Sequence, residues 1–342
     1  MNTINVKTNK SYDIIVGEDI LGNILVLLDK FTYSKVMIVT DSVVSKLYVD
    51  KLYKIFKTAG KNVFVHTFKS GERSKNFNTY NKIINDLANN EFTREDLVLA
   101  VGGGVVGDIA GFAASTYMRG IKYVQVPTTL LAQVDSSVGG KTAIDLPQGK
   151  NLVGTFYQPS MVICDVSTLS TLKKEVYLDG MGEVAKYGIL DKEIYNLIVA
   201  DAPLTKILTA CITYKKNIVE VDEFESGDRK LLNLGHTVAH AIEKLSNYSI
   251  PHGTAVGMGL KVVIDSAVSN GYVDESQRIK IMGCIEKCVG KTTCPYGSRK
   301  LAKCMAVDKK RKEDSIDFVA IHGIGDVKIE EVKLSNMKRY LG

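Results

Sequence analysis

A short strand-like run, Asp96-Leu97-Val98-Leu99-Ala100-Val101, reads straight into Gly102-Gly103-Gly104-Val105-Val106-Gly107, and residues 108–115 continue as a helix. An apolar strand that closes on spaced glycines and opens a helix is one limb of a parallel, helix-covered sheet. The spacing fits G-x-G-x-x-G. Glycines let a backbone pass close to a pyrophosphate, and a helix N-terminus supplies N–H donors and a positive dipole. The turn therefore predicts a bound dinucleotide. The usual plan places an acidic residue at a strand end about 20 positions later, to hold the ribose. None stands there, and the best candidate is Asp41, which ends the earlier strand Lys35-Val36-Met37-Ile38-Val39-Thr40. A variant of the usual dinucleotide fold follows.

The rest of the first half keeps the same alternation. Asn62-Val63-Phe64-Val65-His66, Tyr123-Val124-Gln125-Val126 and Met161-Val162-Ile163-Cys164 read as strands. Between the first of these and the glycine turn, Ser74 caps a helix running to about Asn90. Ile4-Asn5-Val6 and Tyr12-Asp13-Ile14-Ile15-Val16 read as a hairpin or as edge strands. After about Leu172 the period changes. Residues 178–189, 194–199, 204–221, 237–245 and 254–269 carry helical patterns, and a β-branched run returns only at 316–321. With 342 residues, more than a single core usually accommodates, two domains are expected, dividing near 166–172.

Net charge is +6 and the charges alternate in sign except at Lys309-Lys310-Arg311-Lys312, so no stripe for nucleic acid stands out. A modest basic excess suits an acidic small molecule. No apolar run approaches the roughly 18 residues of a membrane span, and the N-terminus lacks the order of a signal peptide. Six cysteines in so long a chain make no disulfide scaffold. Cys284 and Cys288 are one helical turn apart, but without zinc-type Cys-x2-Cys pairing they read as buried reduced thiols, which places the chain in the cytoplasm.

Two polar constellations point to chemistry. Asp135-Ser136-Ser137-Val138-Gly139-Gly140-Lys141-Thr142 ends like a phosphate-binding loop, yet Asp135 occupies the position where that motif needs its first glycine. What remains is a loop with one acid, several hydroxyls and a lysine, followed by Lys150-Asn151, suited to a polyhydroxylated anion. The second constellation gathers three of the five histidines, His236, His240 and His252, within seventeen residues. His236 and His240 share a helix face. Glu183, on a neighbouring helix, is a candidate for the carboxylate that completes a divalent site, and two histidines with one carboxylate are a common catalytic zinc arrangement.

Three stretches, Val101-Gly102-Gly103-Gly104-Val105-Val106-Gly107-Asp108, the run from Gln125 through Val126-Pro127-Thr128-Thr129 to Lys141-Thr142, and Leu232-Asn233-Leu234-Gly235-His236-Thr237, resemble the 3-dehydroquinate synthase family. The similarity runs from Ser11 to about Asp308, and the middle stretch is very specific. The resemblance implies an α/β NAD-binding domain with a variant Rossmann-like parallel sheet (1–170) and a mostly α-helical domain binding metal and substrate (171–342). It implies NAD, one divalent metal (zinc or cobalt) and a phosphorylated sugar-acid substrate. The reaction would be that of the shikimate pathway to chorismate and the aromatic amino acids. In it, 3-deoxy-D-arabino-heptulosonate 7-phosphate becomes 3-dehydroquinate and phosphate by transient oxidation, elimination, re-reduction, ring opening and aldol closure, so NAD is regenerated each turnover.

Carried over residue by residue, the metal ligands are Glu183, His236 and His252, which leaves His240 beside the substrate. Asp41, Glu72, Lys75, Gly103, Gly104, Val105, Asp108, Thr128, Thr129 and Lys150 match cofactor contacts. Asp135, Lys141, Asn151, Lys186, Lys215, Arg229, Asn233 and Lys309 match substrate contacts. Arg119 matches an arginine that reaches the substrate phosphate from the neighbouring subunit of a homodimer. The chain departs from the family pattern at Thr254, usually glutamate, at Leu172-Lys173, usually Leu-Pro, and in the charged segment 309–317. Other readings are a different sugar-phosphate cyclase, or a metal-dependent alcohol dehydrogenase of the glycerol dehydrogenase type. Arg229, Asn233 and His240 favour the synthase, because they look like its carboxylate-handling set. A catalytically inactive binding module is opposed by the intact Glu183, His236 and His252.

Overall fold

The computed structural model describes residues 1–291, 293–306 and 314–342. The chain divides into two compact units, Met1–Leu172 and Lys173–Gly342.

The first unit is built on seven strands: β1 (Asn2–Val6), β2 (Tyr12–Gly17), β3 (Lys35–Asp41), β4 (Asn62–Phe68), β5 (Leu97–Gly102), β6 (Lys122–Pro127) and, after the hairpin β7 (Lys141–Leu146) and β8 (Gly149–Phe156), β9 (Met161–Asp165). The sheet order is β1-β2-β9-β6-β5-β3-β4. β1 pairs antiparallel with β2 at one edge, and every other pairing is parallel. Parallel strands covered on both faces need apolar residues on both faces. β5 is accordingly buried throughout. Val36, Ile38, Leu97, Leu99 and Val101 point to one face, against Ile24, Leu28, Leu52 and Phe56. Met37, Val39, Val98 and Ala100 point to the other, against Ile83, Leu87, Ile109 and Ala113.

The chain leaves β3 for β4 on one side and returns to place β5 on the other. The carboxyl ends of β3 and β5 are therefore a topological switch point, where open α/β sheets leave a crevice. Asp41 ends β3 and Gly102 ends β5, with Thr40 paired to Val101.

Three local expectations change. The helix expected from Ser74 is Phe77–Asn89, capped by Asn76, whose side chain accepts from the Thr79 amide. Ser74 instead donates its hydroxyl to the Lys69 carbonyl, in a single turn that precedes the helix. The helix after the glycines begins at Gly104, so the last glycines belong to its first turn. The polar loop at 135–142 is only partly a loop: a helical turn at Ala132–Ser136 leads into the hairpin of β7 and β8.

The second unit contains the helices Lys174–Leu190, Lys192–Val199, Leu204–Val221, His236–Leu245, His252–Ser269, Glu275–Val289 and Ser298–Met305. A hairpin of β10 (Ser315–Gly323) and β11 (Asp326–Lys333) completes it. Only β10 announces itself in the sequence. β11 is largely exposed and charged, so it carries no apolar run. An α/β unit with a parallel-dominated sheet followed by a mostly helical unit is the expected class. No helix among the described residues is long and apolar enough to cross a membrane. None of the six cysteines is in a disulfide, and Cys164, Cys211, Cys284 and Cys288 are buried.

Candidate active site

In the first unit the glycine turn is close-packed. A Cβ on Gly102 would fall 2.5 Å from Val106 Cγ2, and one on Gly107 would fall 2.6 Å from Gln125 Oε1. Those two glycines are required by packing. Gly103 and Gly104 are less enclosed and open the helix Gly104–Thr116, whose N-terminus has no side-chain cap. The first amides of a helix lack intrahelical partners, and uncapped they are donors for an anion. Beside them the buried Thr128 hydroxyl has no hydrogen-bond partner. An orphaned donor next to a free helix start fits a phosphate-bearing cofactor. Asp41 Oδ1 accepts from the Val43 and Val44 amides, which fixes the carboxylate at the switch point.

Lys75 ties this turn to the hairpin. Buried, it donates to Asp108 Oδ2 and to Asn151 Oδ1, while its own carbonyl accepts from the Asp145 amide at 2.8 Å. Burial pushes the Lys75 ammonium down, but Asp108 and Glu72 more than compensate and hold it above its usual range. Burial raises the Glu72 carboxyl, against the pull of Lys75 and of Lys150, whose Nζ is 3.8 Å away. Asn151 adopts a left-handed backbone (φ +56°), and its backbone N–H donates to Asp145 Oδ1 at 2.8 Å. Lys141 opens β7 rather than a helix, which removes the likeness to an ATP-binding loop, since there the lysine begins a helix. Arg119 is exposed, at the left-handed corner before Gly120 (φ +64°).

In the second unit three helices converge. His236 and His252 are each the first residue of a helix, and Glu183 lies mid-helix in Lys174–Leu190. His236 Nε2 and His252 Nε2 each lie 3.3 Å from Glu183 Oε1, and the three ligand atoms lie within 4.8 Å of one another. Glu183 is 1% exposed, and neither of its oxygens has a hydrogen bond of good geometry. A buried carboxylate in that condition is costly unless a cation sits on it. Lys186 Nζ pairs with Oε2 at 2.5 Å, and the two imidazoles face Oε1. A donor set of two histidines and one carboxylate fits a divalent metal.

Burial raises the Glu183 carboxyl, but Lys186 and His236 outweigh it and hold it well below the usual carboxylate range. Burial pushes the His236 imidazole down against the pull of Glu183. Burial acts on His252 too, but Glu183 and Glu243 bring it up to about 10.

His240 lies one turn beyond His236, their ring centroids 5.8 Å apart, and does not share the Glu183 cluster. The helical-face pairing of His236 with His240 is therefore not the pairing that meets the carboxylate. Of the remaining candidates, Lys186, Lys215 and Arg229 are buried cations. Arg229 donates to the Glu223 carbonyl, and its amide donates to Asp222 Oδ2 at 3.1 Å. Asn233 donates to Glu225 Oε1 at 3.0 Å. Thr254, the departure from the family pattern, holds Asp179 Oδ1 through its amide (2.9 Å) and its hydroxyl (3.3 Å). Lys309 lies outside the described residues. The sequence reading missed Asp222 and Glu243. Glu243 stands three residues after His240, so a helical-face reading extended by one turn reaches it.

Two family models match the chain: 3-dehydroquinate synthase N-terminal over residues 65–179 and 3-dehydroquinate synthase C-terminal over 180–311. The 3-dehydroquinate synthase of Clostridium acetobutylicum is 40% identical over 357 residues, covering 100% of this chain and 99% of its own. A crystal structure of 2-deoxy-scyllo-inosose synthase with carbaglucose-6-phosphate, NAD+ and Co2+ superposes with a TM-score of 0.87 at 25% identity, covering 99% of each chain. The 2-epi-5-epi-valiolone synthase of Streptomyces hygroscopicus, with NAD+ and Zn2+ bound, gives 0.87 at 23%, covering 99% of this chain and 98% of its own, and shows the shared fold. With both domain models matched in order and a full-length relative at 40% identity, the chain belongs to the 3-dehydroquinate synthase family.

Proposed function

We infer that this protein is a 3-dehydroquinate synthase, converting 3-deoxy-D-arabino-heptulosonate 7-phosphate to 3-dehydroquinate and phosphate. The observation that carries the reading is the buried Glu183 carboxylate facing His236 and His252 within a chain of this family. Glu183, His236 and His252 hold one divalent metal, zinc or cobalt. Asp41, Glu72, Lys75, Gly103, Gly104, Val105, Asp108, Thr128, Thr129 and Lys150 hold NAD. On this reading residues 1–170 are the NAD-binding domain and 171–342 the metal- and substrate-binding domain. When bound, the metal supplies a Lewis acid for the alcohol to be oxidised and NAD supplies a hydride acceptor that is regenerated.

The chain's own residues position the substrate and balance its charge. Lys186, Lys215 and Arg229 are cations already removed from water, so each acts on a substrate anion more strongly than an exposed lysine does. Asp135, Lys141, Asn151, Asn233 and His240 supply the directional contacts that a polyhydroxylated acid requires, and orientation itself lowers the barriers to elimination and aldol closure. The substrate phosphate can take the proton lost on elimination, so no dedicated protein base is needed. Arg119 reaches the phosphate across a homodimer, and Lys309 completes the substrate contacts. The enzyme works in the cytoplasm, without nucleic acid or membrane.

The test adds purified protein to the heptulosonate phosphate with catalytic NAD and follows phosphate release. Stoichiometric phosphate with no net NADH is expected. No phosphate, or one NADH accumulating per substrate consumed, overturns the reading.

A further inference from the structure

We propose that Glu243 is the positioning residue that orients His252 as an Nε2 metal ligand and raises its donor strength. The inference rests on the metal site proposed above. His252 lies between two carboxylates. Its Nε2 is 3.3 Å from Glu183 Oε1, and its Nδ1 is 3.5 Å from Glu243 Oε2. The other imidazole follows the same plan with a weaker acceptor: His236 Nε2 faces Glu183 at 3.3 Å, while its Nδ1 is 3.2 Å from the Leu234 carbonyl oxygen. In both rings an acceptor at Nδ1 selects the tautomer whose Nε2 lone pair points at the carboxylate. Ligating histidines commonly have such an acceptor at the second nitrogen, and an anionic one makes the imidazole a stronger donor.

Glu243 is placed for this by its helix. It lies seven residues after His236 on His236–Leu245, two turns along the same face. It is 5% exposed, so its side chain has little freedom to swing away. The need differs between the two histidines. The His252 side chain is 32% exposed against 12% for His236, so packing restrains it less and a hydrogen-bond partner matters more.

His240, Glu243 and His252 also have ligand atoms within 4.8 Å of one another, close enough to hold a second ion. That ion would have to take His252 through Nδ1 while Nε2 serves the first. Both ring protons would then be lost. A single ion, with Glu243 accepting from Nδ1–H, avoids this.

The test uses the full chain with zinc and cobalt. Zinc affinity is measured by competition with a chromophoric chelator for wild type, Glu243→Gln, Glu243→Ala, His240→Ala and Glu183→Ala, with metal content per chain and the metal-free thermal midpoint for each. One ion per chain is expected. Glu243→Ala is expected to bind zinc about 10- to 100-fold more weakly. Glu243→Gln, which keeps an acceptor but loses the charge, should fall between it and wild type, and His240→Ala should stay within about threefold of wild type. The visible absorption of the cobalt form should change in Glu243→Ala, a signature that loss of fold stability alone does not produce. If Glu243→Ala does not fold, the Glu243→Gln affinity and cobalt spectrum decide. Unchanged affinity and spectrum in the folded Glu243 variants, or two ions per chain, overturns the proposal. Zinc binding that is indifferent to Glu183→Ala overturns instead the site on which it rests.

Discussion

Gly182 and Gly253 meet backbone to backbone. A Cβ on Gly182 would lie well under 3.0 Å from the Gly253 carbonyl oxygen, and one on Gly253 as close to the carbonyl of Asp179. Each glycine adjoins a residue of the proposed metal site, Glu183 or His252. The third member, His236, follows Gly235, whose carbonyl oxygen would lie only 2.4 Å from a Cβ on Gly259. The helices can bring Glu183, His236 and His252 onto one point because glycines remove the side chains that would hold them apart. Gly182→Ala is therefore expected to force the helices Lys174–Leu190 and His252–Ser269 apart. A loss of about 2–3 kcal/mol in stability is expected, along with weaker zinc binding than wild type, checked by urea unfolding and by chelator competition. Unchanged values in both would show that the helices can yield at this contact.

Removal of the metal should abolish activity, and restoration by zinc should require the intact carboxylate. Glu183→Ala is expected to fold, to bind zinc weakly and to remain below about 1% of wild-type phosphate release at zinc levels that restore the stripped wild type. Full zinc-dependent activity in that variant would remove Glu183 from the ligand set.

Lys75→Met should act on the first unit alone. It leaves Asp108 without its ammonium partner and Asn151 without the donor that holds its side chain. Breaking a buried pair by removing one partner costs about 3 kcal/mol, and NAD affinity is expected to fall at least about tenfold. Calorimetric titration with NAD is the direct measure, and wild-type affinity would show that the Lys75 link does not shape the cofactor site.

Asp222 provides the pH test. Burial raises its carboxyl, but the amides of Gly227, Ser226 and Arg229 outweigh this and bring it down to about 2. Because the folded value lies below the ordinary one of 3.8, its contribution is complete above about pH 4 and is lost as the pH falls toward 2. Asp222→Asn should cost about 1–2 kcal/mol at neutral pH and much less near pH 2. Arg229 shares this loop, so the variant should also raise KM for the anionic substrate. Unfolding midpoints of both proteins compared across pH 2–7 test the first part, and a pH-independent gap between them would contradict it.

Much of the first unit is legible in the sequence, because buried parallel strands must be apolar on both faces and β3, β5 and β9 therefore stand out as uninterrupted runs. The glycine turn is legible for a different reason, since no other residue permits so close a strand-to-helix passage. Side-chain competition was harder to read: Ser74 and Asn76 are both capping residues, and only the path of the chain after Gly71 gives the helix to Asn76. β7, β8 and β11 lacked a signal because charged and polar residues interrupt each of them, so none carries a continuous apolar run.

By itself the sequence determined the fold class and the chemical inventory: an α/β half with a dinucleotide turn, and a helical half with a carboxylate and clustered histidines. Period and composition are local properties that survive in one dimension. How His252 reaches Glu183 was decided by tertiary structure: the family resemblance named the residue, but period and spacing alone pair His236 with His240. His236 and His240 share a helix face, but His252, sixteen residues from His236, is brought to the same oxygen by glycine contacts between helices, and no spacing within one helix encodes that meeting.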